Sequence, residues 1–295
     1  MRAAAIFGSR MITLSLIGIG TGNPDHVTGQ AIHALNGADL VLLPRKGDDK
    51  SDLADIRRQI LSRVLTRAVP VAEYDVPKRA DQADYIGAVN DWHDAIAQTW
   101  AKAIAAHLPQ GGKVALMVWG DPSLYDSTLR IAARLPDLTV KVIPGITSLQ
   151  ALTAAHAIPL NTLAAPVTIT TGRQLRDHGW PEGAVTLAVM LDKGGAFTAI
   201  DPKDVTIWWG AYVGMPEEVL IHGPLAEVSD PSAYATQIGR ALYSASAGSS
   251  QNCGGRNFPR RHFGDLCLAA RHRKRYGSHA ERTGNGIWHH HCKDQ

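Results

Sequence analysis

Four glycine-containing turns each follow a short apolar run and carry residue types that suit ligand binding. They are Gly18-Ile19-Gly20-Thr21-Gly22-Asn23-Pro24-Asp25, Trp119-Gly120-Asp121-Pro122-Ser123-Leu124-Tyr125, Val142-Ile143-Pro144-Gly145-Ile146-Thr147-Ser148 and Ile221-His222-Gly223-Pro224-Leu225. Glycine lets the backbone approach a ligand closely, and proline stiffens a loop by fixing φ. A loop shaped in advance offers amide and carbonyl groups to a polar ligand without an ordering cost. Each turn alone is a weak signal, but together they predict a ligand site.

Two of these turns also have a purely structural interpretation. Asp121-Pro122 is typical of a turn that caps a helix, and a helix is predicted from residue 124. The hydroxyl groups of Thr147 and Ser148 could cap the next helix or face a ligand. The residues themselves leave both alternatives open.

The first turn invites comparison with a dinucleotide-binding fingerprint, but it lacks two features of one. The third glycine of the fingerprint would fall at Asn23. The acidic residue that binds the ribose should end the second strand, where Pro44 and Arg45 stand, whereas Asp39 begins that strand. A nicotinamide-dependent oxidoreductase is therefore the weaker alternative.

Composition excludes several classes of protein. The hydrophobic fraction of 45% is that of a globular protein with a core. All three cysteines lie at or after Cys253, so the rest of the chain has neither a disulfide framework nor a thiol nucleophile. No run approaches the roughly 18 apolar residues of a membrane span. Residues 1–10 lack a secretory signal and are predicted to be an N-terminal extension before Met11. We expect a cytoplasmic protein that binds no membrane.

The elements that must position the turns alternate between strand and helix. Strands are predicted at 12–17, 40–43, 113–118, 139–143, 167–170, 185–190, 205–209 and 219–222, and helices at about 27–37, 51–64, 81–108, 124–135 and 149–156. Such alternation favours parallel sheet built from βαβ units. Helices become fewer in the second half, which favours a mixed sheet there. The prediction is two α/β domains, at 11–121 and 122–238, with a mainly parallel N-terminal sheet and a mixed C-terminal sheet.

The segment 239–295 breaks this pattern. It holds ten Lys or Arg and three Asp or Glu, whereas residues 1–238 hold 20 basic and 24 acidic residues. It lacks apolar periodicity and is predicted to be disordered or non-native. Its basic run at 271–275 suggests nucleic-acid binding only weakly, because no folded motif accompanies it. His289–His291 lacks the paired spacing of a zinc site, so we expect no metal.

The order of the four turns resembles the tetrapyrrole (corrin and porphyrin) methyltransferase family, over about residues 11–238. Gly120-Asp121-Pro122 and the turn at 144–148 match that family well. The segments 119–130, 189–192 and 208–216 resemble the branch that methylates precorrin-5 at carbon 1 and releases acetate. The first turn departs from the family, because Gly22-Asn23-Pro24-Asp25 stands where Gly-Pro-Gly-Asp-Pro is frequent. Another precorrin methyltransferase of the family stays an alternative.

The resemblance implies that S-adenosylmethionine binds in a cleft between the two domains. The residues that would surround this cofactor are Gly120, Asp121, Pro122, Tyr125, Thr147, Ser148, Leu191, Tyr212, Gly223 and Pro224. The residues that would face the tetrapyrrole are Gly18, Gly20, Pro24 and Asp25. The resemblance also suggests a homodimer.

Charged residues complete the expected site. Methyl transfer from a sulfonium can rest largely on positioning, since the leaving group is neutral. Acetate release needs water and a proton acceptor, and the candidates are Asp25, Asp121 and Asp192. A substrate with many carboxylates should meet cations at the cleft. The candidate anchors lie at or just after strand ends and could equally be solvated surface charges: Arg45, Lys46, Arg173 and Lys193.

Overall fold

The structure is a computed structural model that describes residues 11–45, 51–81, 84–135, 137–192, 195–228 and 265–271, with backbone only at 51–52 and 265–271. The strands are β1 (Ile12–Gly18), β2 (Leu40–Arg45), β3 (Val71–Asp75), β4 (Gly112–Val118), β5 (Leu138–Ile143), β6 (Val167–Thr171), β7 (Thr186–Asp192), β8 (Val205–Ala211), β9 (Val219–Pro224) and β10 (Asp265–Arg271). The α-helices are α1 (Gly29–Asn36), α2 (Ser51–Val64), α3 (Tyr85–His107), α4 (Thr128–Ala132), α5 (Ser148–Ala155), α6 (Gly172–His178) and α7 (Leu225–Val228). Within these residues, no helix is long and apolar enough to cross a membrane.

The first sheet consists of five parallel strands in the order β3-β2-β4-β1-β5. Successive side chains of a strand point to opposite faces, so one strand supplies two cores. Leu14 and Leu16 pack with α3 and α4 on one face, whereas Ile17 packs with α1 and α2 on the other. Burial on both faces explains why the strands of this sheet read as continuous apolar runs.

The longest helix, α3, is shorter than the predicted span of 81–108. Asp84 is its N-cap and accepts a hydrogen bond from the backbone N–H of Gly87 at 2.9 Å, so the helix begins at Tyr85. Trp100 is 1% exposed in the core of the first sheet, as the aromatic periodicity of this segment indicates.

The second sheet is mixed, as predicted, and has the order β6-β7-β10-β8-β9. β6 and β7 are parallel, and the pairs β7–β10, β10–β8 and β8–β9 are antiparallel. Leu187, Ile207 and Trp209 form its core with Leu175 of α6. The two-sheet α/β class is therefore confirmed.

The predicted boundary at residue 121 is wrong for the sheets. β5 lies at 138–143, beyond that boundary, yet it pairs with β1 in the first sheet. The first layer thus continues to residue 143. The linear pattern could not show this, because a parallel crossover returns a later strand to a sheet that earlier strands began.

The helix predicted at 124–135 is reduced to the five residues of α4. Tyr125 has φ of 52°, a left-handed conformation that no α-helix contains. Asp126 then accepts a hydrogen bond from the backbone N–H of Thr128 at 2.6 Å, which fixes the later start.

The prediction that 239–295 lacks regular structure is wrong at 265–271. This segment is β10, and it pairs with β7 on one side and β8 on the other. An interior strand forms backbone hydrogen bonds with both of its neighbours. A seven-residue, largely apolar segment can therefore form a strand even when the sequence around it shows no apolar periodicity. Residues 229–264 and 272–295 lie outside the described part of the chain, as do residues 1–10, the predicted extension.

Candidate functional site

Three of the four turns meet at the carboxyl edge of the first sheet. A Cβ atom on Gly18 would lie 2.6 Å from the backbone nitrogen of Gly145 and 2.7 Å from the carbonyl oxygen of Gly120. Gly20 and Gly120 form a β-bridge, in which the N–H of Gly120 donates to the carbonyl of Gly20 at 2.8 Å. Only glycine leaves room for backbones this close. The first three turns therefore form one rigid unit.

Asp121 fastens the second turn to the third. Its Oδ2 accepts a hydrogen bond from the N–H of Gly145 at 2.9 Å, and its Oδ1 accepts from the N–H of Ser123 at 2.8 Å. The hydroxyl of Ser123 also donates to Oδ1, at 2.5 Å. Burial favours the neutral acid, but the hydrogen bonds from Ser123 and Gly145 outweigh burial and lower the pKa of Asp121. The carboxylate is thus an ionised brace between the turns.

A cavity of about 300 Å³ opens beside this unit and reaches the second sheet. Its lining comes from the ends of β7 and β8, from the segments that follow β1, β4, β5 and β8, and from one residue each of α2 and α5: Gly20, Thr21, Leu53, Trp119, Gly120, Asp121, Leu124, Tyr125, Asp126, Thr147, Ser148, Met190, Leu191, Gly210, Tyr212 and Val213. Ligands of open α/β sheets bind beyond the carboxyl ends of the strands, where this cavity lies.

Three non-glycine residues of the cavity wall have left-handed backbones. Tyr125, Leu191 and Tyr212 each have φ of 52°. This conformation costs an L-residue about 1–2 kcal/mol, and such outliers cluster at functional sites. The hydroxyl of Tyr125 also donates to the carbonyl of Ile169 at 3.4 Å, so it links the second turn to β6 of the other sheet.

The first turn also contacts the connection between β8 and β9. A Cβ atom on Gly22 would lie 2.8 Å from Sδ of Met215. Thr21, which lines the cavity, is 2.9 Å from Nδ1 of His26 through its hydroxyl oxygen. The close approach of Gly22 to Met215 therefore joins the two sheets at one end of the cleft.

Seven of the ten predicted cofactor residues line the cavity; Pro122, Gly223 and Pro224 do not. Pro122 is buried within its own turn. Gly223 and Pro224 belong to β9, where Pro224 pairs with Thr206 near the start of β8. Because β9 runs antiparallel to β8, the fourth turn lies at the opposite end from Tyr212, about 20 Å away at strand spacing.

Only some of the residues predicted to face the tetrapyrrole lie at the cavity. Gly20 lines the cavity, and Gly18 lies beneath it against Gly145. Pro24 and Asp25 belong to a short 3₁₀ turn outside the cavity lining, and Asp25 pairs with Arg63 at 2.7 Å.

The predicted cationic anchors also differ among themselves. Arg45 pairs with Asp75 at 2.9 Å, so its charge is neutralised. Arg173 instead lies against the ring of Tyr85, with Cζ 4.9 Å from the centroid. Lys46 and Lys193 lie outside the described residues.

The structure does not bring the three candidate acids together. The side chain of Asp192 is 1% exposed and pairs with Arg176 at 3.0 Å. Its other oxygen accepts from the N–H of Ala196 at 2.7 Å, and Asp192 does not line the cavity. Asp192 therefore stabilises the end of β7 and does not face the cavity.

Sequence reasoning missed several wall residues, of which Trp119 and Asp126 are the most informative. Both belong to the segment 119–130, and the likeness of this segment to the family was the sequence signal that could have identified them. Asp126 accepts hydrogen bonds from Thr128 through Oδ1. Leu53 comes from α2, and nothing in the sequence indicated that it belongs to a ligand site, because only the packing of α2 brings it to the cavity.

A buried guanidinium supports the wall from behind. Cζ of Arg57 lies 4.5 Å from the ring centroid of Trp119, and Nε donates to the carbonyl of Met117 at 3.4 Å. Burial lowers the pKa of Arg57 to about 10, opposed by the nearby Tyr74 and Asp126. Arg57 therefore stays protonated at neutral pH and holds Trp119 by a cation–π contact.

Comparison with known proteins places this geometry in a family. Residues 13–229 match the model of the Tetrapyrrole (Corrin/Porphyrin) Methylases. The chain is 46% identical to a Precorrin-6A synthase [deacetylating] of Sinorhizobium sp over 227 residues, which cover 75% of this chain and 87% of the relative. A crystal structure of a cobalamin synthesis related protein (CobF) from Corynebacterium diphtheriae has a TM-score of 0.67 and 32% identity, covering 88% of this chain and 99% of the other.

A more distant structure supports the fold alone. The uroporphyrin-III C-methyltransferase of Thermus thermophilus, solved with S-adenyl homocysteine, has a TM-score of 0.51 and 20% identity, covering 87% of this chain and 96% of the other. The family match spans most of the chain, and the structural likeness extends over both sheets. The chain belongs to the tetrapyrrole (corrin/porphyrin) methylases and is a methyltransferase.

Proposed function

We propose that this methyltransferase uses S-adenosylmethionine to methylate precorrin-5 at carbon 1, with release of acetate, to give precorrin-6A. The relative that is 46% identical bears the name of that activity. The observation that supports the proposal most is the cavity in which the Gly120-Asp121 turn and Thr147 face Leu191 and Tyr212.

The described residues fit a donor of this kind. The cavity of about 300 Å³ is at the lower end of the range for small-molecule sites. A Cβ atom added to Gly120, whose φ is 61°, would contact Cα of Thr147 at 3.6 Å, so the second and third turns lie close together at the wall. Ser148 adds a hydroxyl group, whereas the hydroxyl of Thr147 caps α5 by accepting from the N–H of Leu149 at 3.2 Å. When bound, S-adenosylmethionine would supply a methyl group on a sulfonium.

The chain's own residues contribute to methyl transfer by positioning the two reactants. The braced turns and the left-handed Leu191 and Tyr212 hold their backbones before a ligand arrives, so binding costs little ordering. Alignment of two bound reactants accounts for a large part of the rate in reactions of this kind. The side chains of Trp119, Met190 and Val213 supply an apolar part of the cavity wall.

Acetate release needs a proton acceptor, and Asp126 is better placed than the three predicted acids. Asp126 lines the cavity, and both of its hydrogen bonds from Thr128 use Oδ1. No described residue donates to Oδ2, whereas both oxygens of Asp121 and of Asp192 are engaged. Asp126 would accept a proton from water during loss of the acetyl group.

The proposal is tested by incubation with precorrin-5 and a methyl-labelled donor, followed by mass analysis and an acetate assay. We expect one labelled methyl group and one acetate per product molecule. Methylation of precorrin-2 instead would favour another precorrin methyltransferase. Thermal stabilisation by NAD but not by S-adenosylhomocysteine would favour an oxidoreductase, since a ligand stabilises the protein that binds it.

We also propose that the enzyme is a cytoplasmic homodimer that binds neither nucleic acid nor membrane. Support for a dimer comes from β5, an edge strand on which Val140 and Val142 are 37% and 42% exposed. Exposed apolar edge strands are usually covered by a partner or protected by charge. Sedimentation analysis should show that the wild type is a dimer and that Val142→Lys dissociates into monomers at a higher concentration. Cell fractionation tests whether the protein is in the cytoplasm.

A further inference from the structure

Two guanidinium groups lie against the ring of one exposed tyrosine. The Cζ atoms of Arg79 and Arg173 are 5.0 and 4.9 Å from the ring centroid of Tyr85. Arg79 lies in the connection from β3 to α3, and Tyr85 is the first residue of α3. Arg173 lies in α6, directly after β6 of the second sheet. The cluster therefore joins the two sheets across the cleft.

In the described part of the chain, neither of these guanidinium groups has an acidic partner. Among the residues that the structure describes, no carboxylate lies within 4.0 Å of Arg79 or Arg173. Other exposed arginines behave differently, since Arg58 and Arg63 each contact a carboxylate. The distances to the shared ring keep the two charges within about 10 Å of each other. An anion at the cluster would feel both.

Exposed apolar side chains occur both at this cluster and beside the cavity. Ile86, beside Tyr85, is 72% exposed, and Ile169 on β6 is 41% exposed. The carbonyl of Ile169 accepts the hydrogen bond of Tyr125, which lines the cavity and is 43% exposed. Exposed apolar side chains next to two cations suit a ligand that has flat apolar faces and an anionic rim.

We infer that Arg79, Tyr85 and Arg173 form a clamp for carboxylates at the rim of the macrocyclic substrate. This inference rests on the proposed function, which supplies a tetrapyrrole with several carboxylates. A guanidinium binds a carboxylate with two parallel hydrogen bonds, and both arginines have those donors available. The ring of Tyr85 holds the two side chains in place by cation–π contacts, which lowers the entropy lost on binding.

Kinetics with precorrin-5 test the clamp. Arg79→Gln and Arg173→Gln should each raise KM about tenfold, the size of one charge-assisted contact, while kcat and the Kd of S-adenosylhomocysteine stay unchanged. The matched control is Lys203→Gln, which removes an exposed charge just before β8, at the end of that strand opposite Tyr212. KM values equal to that of the control would overturn the clamp.

The role of the ring is tested by two changes at one position. Tyr85→Phe keeps the aromatic face and should leave KM within about twofold, whereas Tyr85→Ala releases both guanidinium groups and should raise KM about tenfold. Equal losses in the two variants would mean that the hydroxyl, not the ring, matters, and would contradict the clamp as described.

Failure of the clamp can be separated from failure of the proposed function. If the wild type transfers no methyl group to precorrin-5, the proposed function fails, and the clamp is judged by fluorescence titration with uroporphyrin, a polycarboxylate macrocycle. A Kd for uroporphyrin that is about tenfold higher in either arginine variant, and that depends less on salt concentration, would then support the clamp. Absence of binding by the wild type, or equal binding by the variants, would overturn it.

Discussion

The backbone N–H of Gly145 donates a hydrogen bond to Oδ2 of Asp121 at 2.9 Å, which joins two turns 24 residues apart in the chain. The third turn is otherwise held by the pairing of its first residues with β1 and by close contacts of Gly145 with Gly18 and Gly120. The same carboxylate orders its own turn through Ser123. One side chain thus couples the local conformation of the second turn to the shape of the cavity.

Removal of this carboxylate should weaken donor binding more than it weakens the fold. Asp121→Ala leaves the N–H groups of Gly145 and Ser123 without their acceptor, at a cost of about 2 kcal/mol in the free energy of unfolding. We expect the Kd of S-adenosylhomocysteine, measured by calorimetry, to rise at least about tenfold. Asp91→Ala on the exposed face of α3 is the charge-matched control and should change neither quantity. An unchanged Kd in Asp121→Ala would contradict our assignment of the cavity.

The contribution of Asp121 to stability should depend on pH. Its pKa in the folded protein is lowered from the ordinary value of 3.8, so its stabilising effect is complete above that value and is lost as pH falls through the lowered pKa. The difference in unfolding free energy between wild type and Asp121→Ala should therefore shrink when urea titrations are moved from neutral pH to about pH 3. A difference that stays constant over that range would show that ionisation of Asp121 does not matter.

Gly18→Ala should strongly destabilise the protein. The new Cβ would lie 2.6 Å from the nitrogen of Gly145 and 2.7 Å from the oxygen of Gly120, and backbone atoms cannot rotate away as side chains do. We expect a loss of at least about 2 kcal/mol in urea unfolding. Gly29→Ala at the start of α1 meets no atom within 4 Å and should be neutral or slightly stabilising. Equal effects of the two changes would disprove the close approach of the turns.

Leu191→Gly should separate stability from binding. The left-handed backbone of Leu191 is strained, so glycine should raise the unfolding free energy by about 1 kcal/mol. The same change removes a side chain that lines the cavity, and donor affinity should fall several-fold. Ala157→Gly also relieves a φ of 52°, but Ala157 does not line the cavity. This control should gain stability and keep its affinity; loss of affinity in it would show that the effect is not local.

Asp192→Ala tests whether this buried carboxylate is an acid–base group or a structural one. Its removal leaves the N–H of Ala196 and the partly exposed Arg176 without their partner, at a cost of about 2–3 kcal/mol. We expect a large fall in thermal stability with kcat unchanged per folded molecule at a temperature where the variant is folded. A folded variant that methylates but releases no acetate would restore Asp192 as the proton acceptor.

Much of the fold could be predicted because it depends on local patterns. Apolar runs followed by glycine turns indicate buried parallel strands, and the order of those turns indicated the family that the comparisons confirm. The ends of the elements were less predictable: α4 starts late because Tyr125 is left-handed, which nothing in the types of its neighbours requires. β10 was not predicted because it has no alternating apolar pattern. An interior strand depends mainly on backbone pairing with its two neighbours, which the sequence does not show.

The sequence by itself determined where the chain turns tightly, which runs are buried and which family the protein belongs to, since glycine, proline and apolar spacing act within a few residues. The tertiary structure alone decided which groups meet. The antiparallel direction of β9 carries Gly223 away from the cavity, the packing of α2 brings Leu53 to it, and the ion pair with Arg176 occupies Asp192. Strand order, strand direction and charge pairing depend on contacts between residues far apart in the chain, and no local pattern specifies them.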